Sequence, residues 1–156
     1  MRLSNLADYA VITMSQAATH CGDGRVSAAE LASETGLPVP TVQRLVSKLT
    51  AAGLLRSVRG AKGGLQLGRP AAAITVADIV EAVEGPIALT ACIDEAGGCD
   101  YEAGCRMKPH WPMINDALRG ALAGITLETL RTPPSLDARN PDILSPEDLS
   151  TREEVA

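Results

Sequence analysis

Apolar residues recur at helical spacing along the first part of the chain, and turns rich in glycine or proline separate the apolar segments. Ser4 is a suitable cap for a first helix that ends near His20, because a serine hydroxyl can accept hydrogen bonds from first-turn amides. Ser27 and Glu30 have the spacing of a capping box. They predict a short second helix that stops at Gly36, since glycine readily adopts the left-handed conformation common after a helix.

A third helix and a hairpin follow. Pro40 fits the first turn of a helix at 41–52, where its missing N–H leaves no hydrogen bond unmade. Residues 54–58 are mainly apolar and read as a strand, 59–64 form a basic glycine-rich turn, and residues 65–67 alternate as a returning strand. Three helices and a hairpin in this order predict a winged helix-turn-helix.

Helical spacing returns in the second half of the chain. Thr75 opens a helix at 76–84, and a long helix is predicted from about Pro112 to Ala123. Its apolar seam comprises Ile114, Leu118, Ala121, Leu122 and Ile125. The seam can pack inside its own domain or pair with a second copy, and the two-fold symmetry of operator recognition favours pairing. The predicted fold class is mainly α with a small β-hairpin, a winged helix-turn-helix plus a long dimerisation helix.

This pattern divides the chain into four segments. Residues 1–85 form a DNA-binding domain, 86–111 a cysteine-rich loop, 112–131 the dimerisation helix, and 132–156 an acidic tail. Prolines interrupt the tail, and it has few apolar side chains to bury. The tail is therefore expected to be disordered.

Composition narrows the picture further. The chain is 46% apolar but contains no Phe, one Trp and two Tyr, so its core must be aliphatic and alanine-rich. No apolar run approaches the roughly 18 residues of a membrane span, and no secretory signal is evident. We expect a cytoplasmic protein that has no membrane partner. Cysteines in a reducing compartment serve ligation or redox chemistry more often than structural disulfides.

Charge is distributed unevenly along the chain. The net charge is −5, yet residues 1–70 carry eight Lys/Arg and four Asp/Glu, whereas 71–156 carry six and fifteen. The outward face of the third helix would present Thr41, Gln43, Arg44, Ser47 and Lys48, and the hairpin tip Arg59 and Lys62. A solvated polar face is the ordinary alternative. A basic half built as helix-turn-helix and wing favours double-stranded DNA as the partner.

Three of the four cysteines lie in one glycine-containing segment, spaced Cys92-x6-Cys99-x5-Cys105, and His110 follows Cys105 after four residues. Thiolates are soft ligands that select zinc, copper(I) or iron–sulfur clusters. The close cysteine pairs of structural zinc sites are absent. By spacing alone, a cluster and free thiols are about equally good interpretations, and zinc is a weaker one. No Ser/His/Asp arrangement or phosphate-binding loop indicates an enzyme.

The chain resembles the iron–sulfur-sensing winged-helix transcription regulators of the IscR, NsrR and RirA type, which include regulators of SUF assembly operons. The resemblance covers about residues 1–131. It rests on MRLSNLADYAV, RLVSKLTAAGLLRSVRGAKGGLQLG, ITVADIVEAVEG, the three cysteines, Trp111 and ALAGITLETL. It implies a homodimer paired through the long helix, an iron–sulfur cluster on the three cysteines, and a palindromic operator contacted by helix and wing.

The fourth cluster ligand is where the chain departs from part of that family. IscR-like members have a histidine three residues after the last cysteine, where this chain has Lys108. NsrR-like members use an aspartate of the partner's first helix, which matches the partner subunit's Asp8 here. Asp8 would favour a four-iron cluster, and the alternative ligand His110 a two-iron cluster.

The resemblance thus implies a dimeric DNA-binding regulator, for instance a repressor. It would sense iron–sulfur cluster status, and hence iron, oxidative or nitrosative stress, and control cluster-assembly or iron genes. The alternative is a winged-helix regulator with a thiol–disulfide or zinc switch and no cluster. A redox or electron-transfer protein is a third possibility, against which the basic helix-and-wing half argues. The target operons, the form that binds DNA and the role of Cys21 do not follow from the sequence.

Overall fold

The structure is a computed structural model that describes residues 2–20, 24–60, 63–93, 99 and 104–132. The α-helices in this part of the chain are α1 (Asn5–Thr19), α2 (Ala28–Thr35), α3 (Val39–Ala51), α4 (Val76–Glu84), α5 (Trp111–Ala123) and α6 (Leu127–Arg131). Strands β1 (Leu55–Val58) and β2 (Gly64–Leu67) pair antiparallel, with Leu55 opposite Leu67. The mainly helical fold with a β-hairpin is the predicted one.

The caps that the sequence predicted begin the first two helices. The Ser4 hydroxyl accepts hydrogen bonds from two first-turn amides of α1 at 3.1 and 3.2 Å. In α2 the Glu30 amide donates to the Ser27 hydroxyl at 3.1 Å, and the Ser27 amide donates to the Glu30 carboxylate at 2.7 Å. Gly36 then ends α2 at a φ of 73°, a conformation that a side chain would strain.

The start of one helix differs from the prediction. Helix α3 begins at Val39 rather than at 41, because Pro38 already has the extended backbone of a cap and Pro40 lies inside the first turn. The long helix predicted from about Pro112 to Ala123 is α5, and the Thr126 hydroxyl caps a further short helix, α6, that the sequence analysis did not describe.

The core is aliphatic, as the composition required. Helix α1 packs against α2, α4 and α6, and α3 packs against α2, α4 and β1. The large side chains with less than 2% exposure are Met14, Leu31, Leu45, Leu49, Leu54, Leu55, Ile74, Ile79 and Leu127. Residues from the helices, the hairpin and α6 thus share a core, which fixes the hairpin on the helical body.

Val26 holds the hairpin against the segment between α1 and α2. Its amide donates to the Leu65 carbonyl at 3.3 Å, and the Leu65 amide returns a bond to the Val26 carbonyl at 2.8 Å. The wing therefore has a defined orientation relative to α3. None of the helices described is long and apolar enough to cross a membrane. Cys21, Lys62 and residues 133–156 of the predicted tail lie outside the described residues.

Candidate DNA-binding face and cysteine centre

Helix α3 turns a polar face outward, as the sequence predicted. Gln43, Arg44 and Ser47 are exposed, and Thr41 is half-buried. The Ser47 hydroxyl donates to the Gln43 carbonyl of its own helix at 3.0 Å. The buried residues on the opposite face are Val42, Leu45 and Leu49. Burial of that face fixes the rotation of α3, so its exposed side can be presented to a groove of DNA.

Lys48 is placed differently from the other predicted DNA contacts. Its side chain is half-buried, and its Nζ donates to the Val83 carbonyl at 2.7 Å. Val83 belongs to the last turn of α4, whose carbonyls have no partner within the helix. The sequence pattern placed Lys48 on a polar edge, but it could not indicate that the end of another helix lies within reach.

The wing presents cations along one strand and its tip. Arg59 is exposed just beyond β1, where Gly60 adopts a φ of 115° as the chain turns. Arg56 is exposed on β1 and donates to the Gln66 side chain at 3.0 Å. The sequence analysis did not single out Arg56, although its alternation with buried Leu55 marks it as outward-facing.

The structure describes all three cysteines of the 92–105 segment. Cys92, Cys99 and Cys105 are free thiols of intermediate exposure. Burial raises the pKa of the Cys92 thiol, and so do its hydrogen bond with Cys99 and the charge of nearby Cys105. The described residues contain no group of three or more His, Cys, Asp or Glu side chains that could hold a single metal ion.

The two candidate fourth ligands, Asp8 and His110, are both exposed. Asp8 is exposed in the first turn of α1. His110 is exposed and ends the short 3₁₀ turn Lys108–His110, immediately before α5. Neither side chain belongs to a group that could hold a metal ion among the described residues.

A buried asparagine attaches the cysteine segment to α5. The Asn115 amide donates to the Ile87 carbonyl at 2.8 Å, and its oxygen accepts from the Leu89 amide at 3.1 Å. Asn115 is only 6% exposed, so it satisfies two backbone groups that burial would otherwise leave unpaired. The sequence analysis did not identify Asn115. Its position next to Ile114 of the apolar seam of α5 could have indicated that this polar side chain is buried.

An ion pair joins α5 to α4. The Arg119 guanidinium donates to both carboxylate oxygens of Glu81, at 2.8 and 2.9 Å. Arg119 is the main cause that lowers the pKa of Glu81 below its ordinary value. Such two-point contacts fix orientation as well as distance. The start of the cysteine segment is therefore held between α4 and α5.

The helix-turn-helix, the hairpin wing and the exposed polar face of α3 together define a winged-helix DNA-binding protein. The chain belongs to the Rrf2 family, described as iron-dependent transcriptional regulators, whose profile matches residues 3–133. This family contains the regulators that the sequence resembles.

Relatives and solved structures agree with this assignment. The transcriptional regulators IscR of Photorhabdus laumondii and of Escherichia coli K12 are each 35% identical over 130 residues, or 83% of this chain and 79% and 80% of theirs. CymR, the global cysteine regulator of B. subtilis, matches with a TM-score of 0.66 and 32% identity over 84% of this chain and 96% of its own. IscR of T. potens matches with a TM-score of 0.65 and 32% identity over 83% of this chain and 85% of its own. The oxidised form of Staphylococcus aureus CymR matches with a TM-score of 0.65 and 33% identity over 86% of this chain and 99% of its own.

These findings confirm the predicted class. The chain is an IscR-like DNA-binding transcriptional regulator, and its relatives are regulators rather than enzymes. The likeness extends to both IscR and CymR structures, so the chemistry of the cysteine centre has to be argued from this chain's own residues.

Proposed function

We propose that the protein is a homodimeric regulator whose affinity for a palindromic operator depends on an iron–sulfur cluster held by Cys92, Cys99 and Cys105. It would report iron supply and oxidative or nitrosative stress to cluster-assembly or iron genes. The observation that supports the proposal is that Cys92, Cys99 and Cys105 are all free and partly accessible, and that Cys99 and Cys105 both raise the pKa of the Cys92 thiol.

The donor set fits a cluster. Cysteine thiolates are the usual ligands of iron–sulfur clusters, and all three side chains are partly accessible, so a cluster can be delivered and lost. A bound cluster would supply a redox- and iron-sensitive group. The protein's part is to release the thiol protons and hold the sulfurs. The raised pKa of Cys92 keeps that thiol protonated without a ligand, which limits its reactivity in the apo protein.

The fourth ligand would come from a second chain. The partner subunit's Asp8 is favoured, since the carboxylate is exposed at the start of α1 and has no side-chain partner among the described residues. His110 remains the alternative because it is exposed beside the cysteine segment. An aspartate ligand would favour a four-iron cluster and a histidine a two-iron cluster.

Helix α5 offers the surface for pairing. Its inward side carries Asn115, Leu118 and Leu122, which are buried or half-buried. The opposite side exposes Met113, Ala117, Gly120, Ala121 and Gly124, with Met113 at 67%. We call these five residues the α5 strip. Small residues at this spacing let two helices approach closely, so the α5 strip is our proposed dimer contact.

Operator recognition would use α3 and the wing. The proposed contacts are Thr41, Gln43, Arg44 and Ser47 toward base edges and phosphates, with Arg59 and Lys62 on the wing. Lys48 was grouped with them by sequence, but its ammonium already binds the Val83 carbonyl.

We expect Arg44→Ala and Arg59→Ala to weaken DNA binding in different ways. If Arg44 reads a base, its loss should cost about 1–3 kcal/mol on the operator and relax sequence preference. Loss of Arg59 should weaken operator and random DNA alike and reduce the salt dependence of log Kd by about one unit. Fluorescence anisotropy at several salt concentrations measures both.

Arg106→Ala is the control for these variants, because Arg106 is an exposed arginine outside the winged helix. It should leave both affinities unchanged. Equal losses on operator and random DNA for Arg44→Ala would contradict base reading by this residue.

The test of the cluster is native mass spectrometry with visible absorption on protein purified without oxygen. Wild type should carry iron and sulfide, and Asp8→Ala should lose or convert the cluster while His110→Ala keeps it. The reverse result would assign His110 as the ligand. A colourless wild type that cannot be reconstituted would overturn the cluster proposal.

A thiol–disulfide switch is the second candidate, favoured by the influence of Cys99 on Cys92, whose pKa it raises. A peroxide would take two electrons from the two thiols, which form one S–S bond as the peroxide is reduced. This candidate predicts peroxide-dependent loss of two free thiols and a change in operator affinity in iron-free protein. A zinc switch would instead show stoichiometric zinc.

A further inference from the structure

We infer that Lys48 is a positioning residue that connects the DNA-reading helix α3 to the cysteine segment, rather than a DNA contact. The inference rests on the proposed function because it describes how a change at the cysteine segment would be transmitted to α3. The connection runs through hydrogen bonds of three side chains among the described residues, Lys48, Arg119 and Asn115, and each side chain can be replaced separately.

The first contact joins α3 to α4. The Lys48 Nζ donates to the Val83 carbonyl at 2.7 Å, across 35 residues of sequence. The neighbouring Glu81 carbonyl is taken by the Gly85 amide, whereas Val83 lies in the last turn, where carbonyls have no helical partner. A cation at a helix C-terminus is also favoured by the helix dipole. Removal of the ammonium would leave this carbonyl without its partner.

The second contact joins α4 to α5. Glu81 lies half a turn before Val83 and accepts two hydrogen bonds from Arg119. The same carboxylate also accepts a long hydrogen bond from the Ile87 amide at 3.5 Å. The end of α4 thus receives Lys48 from one side and Arg119 from another.

The third and fourth contacts join α5 to the cysteine segment. Asn115 binds the Ile87 carbonyl and the Leu89 amide. Leu89 is three residues before Cys92 in the sequence. A shift of the backbone at Cys92 therefore acts on residues 87–89, which are tied to both α4 and α5.

Lys48 is the point at which this series of contacts meets α3. With its Nζ on the Val83 carbonyl, the Lys48 side chain is directed toward the end of α4. In this arrangement the aliphatic stem of Lys48 lies half-buried between α3 and α4, and the exposed cation of α3 is Arg44. A change at the cysteines would alter the position of α3 through the Lys48 contact. The test is a direct measurement of the energetic coupling between Lys48 and the cysteine segment.

The experiment is a double-mutant cycle between Lys48→Met and Asn115→Ala in iron-free full-length protein. Lys48→Met keeps the aliphatic stem and removes the ammonium. The first readout is Kd for a duplex that wild type selects from a random pool. The second is hydrogen exchange of the last turn of α3 relative to α1 amides, which correct for global unfolding.

We expect Asn115→Ala to change Kd and relative α3 exchange by about 3- to 10-fold when Lys48 is present, and by less than about 2-fold in Lys48→Met. Lys48→Arg should restore the response, because a guanidinium can also donate to the Val83 carbonyl. Ala51→Ser is the control on the same helix, since Ala51 is exposed in the last turn of α3, lies outside the proposed DNA contacts and should leave the Asn115→Ala response intact. Arg119→Met should reproduce the Asn115→Ala response and replaces it if that variant is unstable.

The inference would be overturned if Asn115→Ala changed Kd and α3 exchange equally in wild type and in Lys48→Met. A reduction of about one unit in the salt dependence of log Kd in Lys48→Met would also overturn it, because it would mark a phosphate contact. The cycle needs no cluster, and hydrogen exchange needs no DNA. The two proposals can therefore fail independently. If wild type binds no iron, the cluster proposal fails and the Lys48 inference is unaffected. If wild type binds iron but the effects of Lys48→Met and Asn115→Ala are additive, the Lys48 inference fails and the cluster proposal is unaffected.

Discussion

Replacement of Cys99 by serine is expected to abolish the binding of iron and sulfide while the fold is retained. Cys99 is a half-exposed thiol that raises the pKa of Cys92, and a serine hydroxyl is a poor ligand for a thiolate-held cluster. The free energy of unfolding of the apo protein should change by no more than about 0.5–1 kcal/mol, because no buried core is altered. Iron and sulfide analysis, together with thermal unfolding, measures both quantities.

Cys21→Ser is the control for this prediction. Cys21 is the cysteine outside the 92–105 segment, and its replacement should leave iron and sulfide content unchanged. Iron retained by Cys99→Ser at the wild-type level would exclude Cys99 as a required ligand. Iron-free wild type whose peroxide response disappears in Cys99→Ser would instead support the thiol switch.

A glutamate in place of Ala117 is expected to convert the proposed dimer into a monomer. Ala117 is at the centre of the α5 strip, so two-fold pairing would bring the new carboxylate close to its copy. Burial of two like charges is strongly unfavourable, while glutamate itself is a good helix former. Operator affinity should fall at least about a hundredfold, since one half-site cannot supply the contacts of two. Sedimentation velocity and anisotropy measure the two effects.

Ala117→Ser keeps the small side chain and should preserve both assembly and affinity. Its exposed position makes either substitution compatible with the folded chain. A dimer of unchanged stability in Ala117→Glu would place the interface elsewhere, and a monomeric wild type with full operator affinity would remove the dimer proposal altogether.

Much of the fold follows from local sequence rules. Ser4 and the Ser27–Glu30 box cap their helices as predicted, because a cap involves only three or four neighbouring residues. The hairpin register follows from the glycine-rich turn and the apolar alternation beside it. The start of α3 was misplaced by two residues, because Pro38 and Pro40 each fit more than one position near a helix start.

The resemblance added what local rules could not supply, namely the class of regulator and the importance of the three cysteines. The family match and the IscR relatives confirm the class. The identity of the cofactor, the fourth ligand and the dimer stay predictions, since each depends on groups beyond a single described chain.

The sequence by itself determined the helices, the wing, the polar face of α3 and the set of candidate thiols, because these depend on periodicity, caps and residue chemistry over short spans. Only the tertiary structure decided which partners distant side chains have. It placed Lys48 on the Val83 carbonyl, Arg119 on Glu81 and Asn115 on the backbone before Cys92. Such contacts depend on how whole helices pack against one another, and a periodic pattern specifies which face is buried but not what lies opposite each polar group.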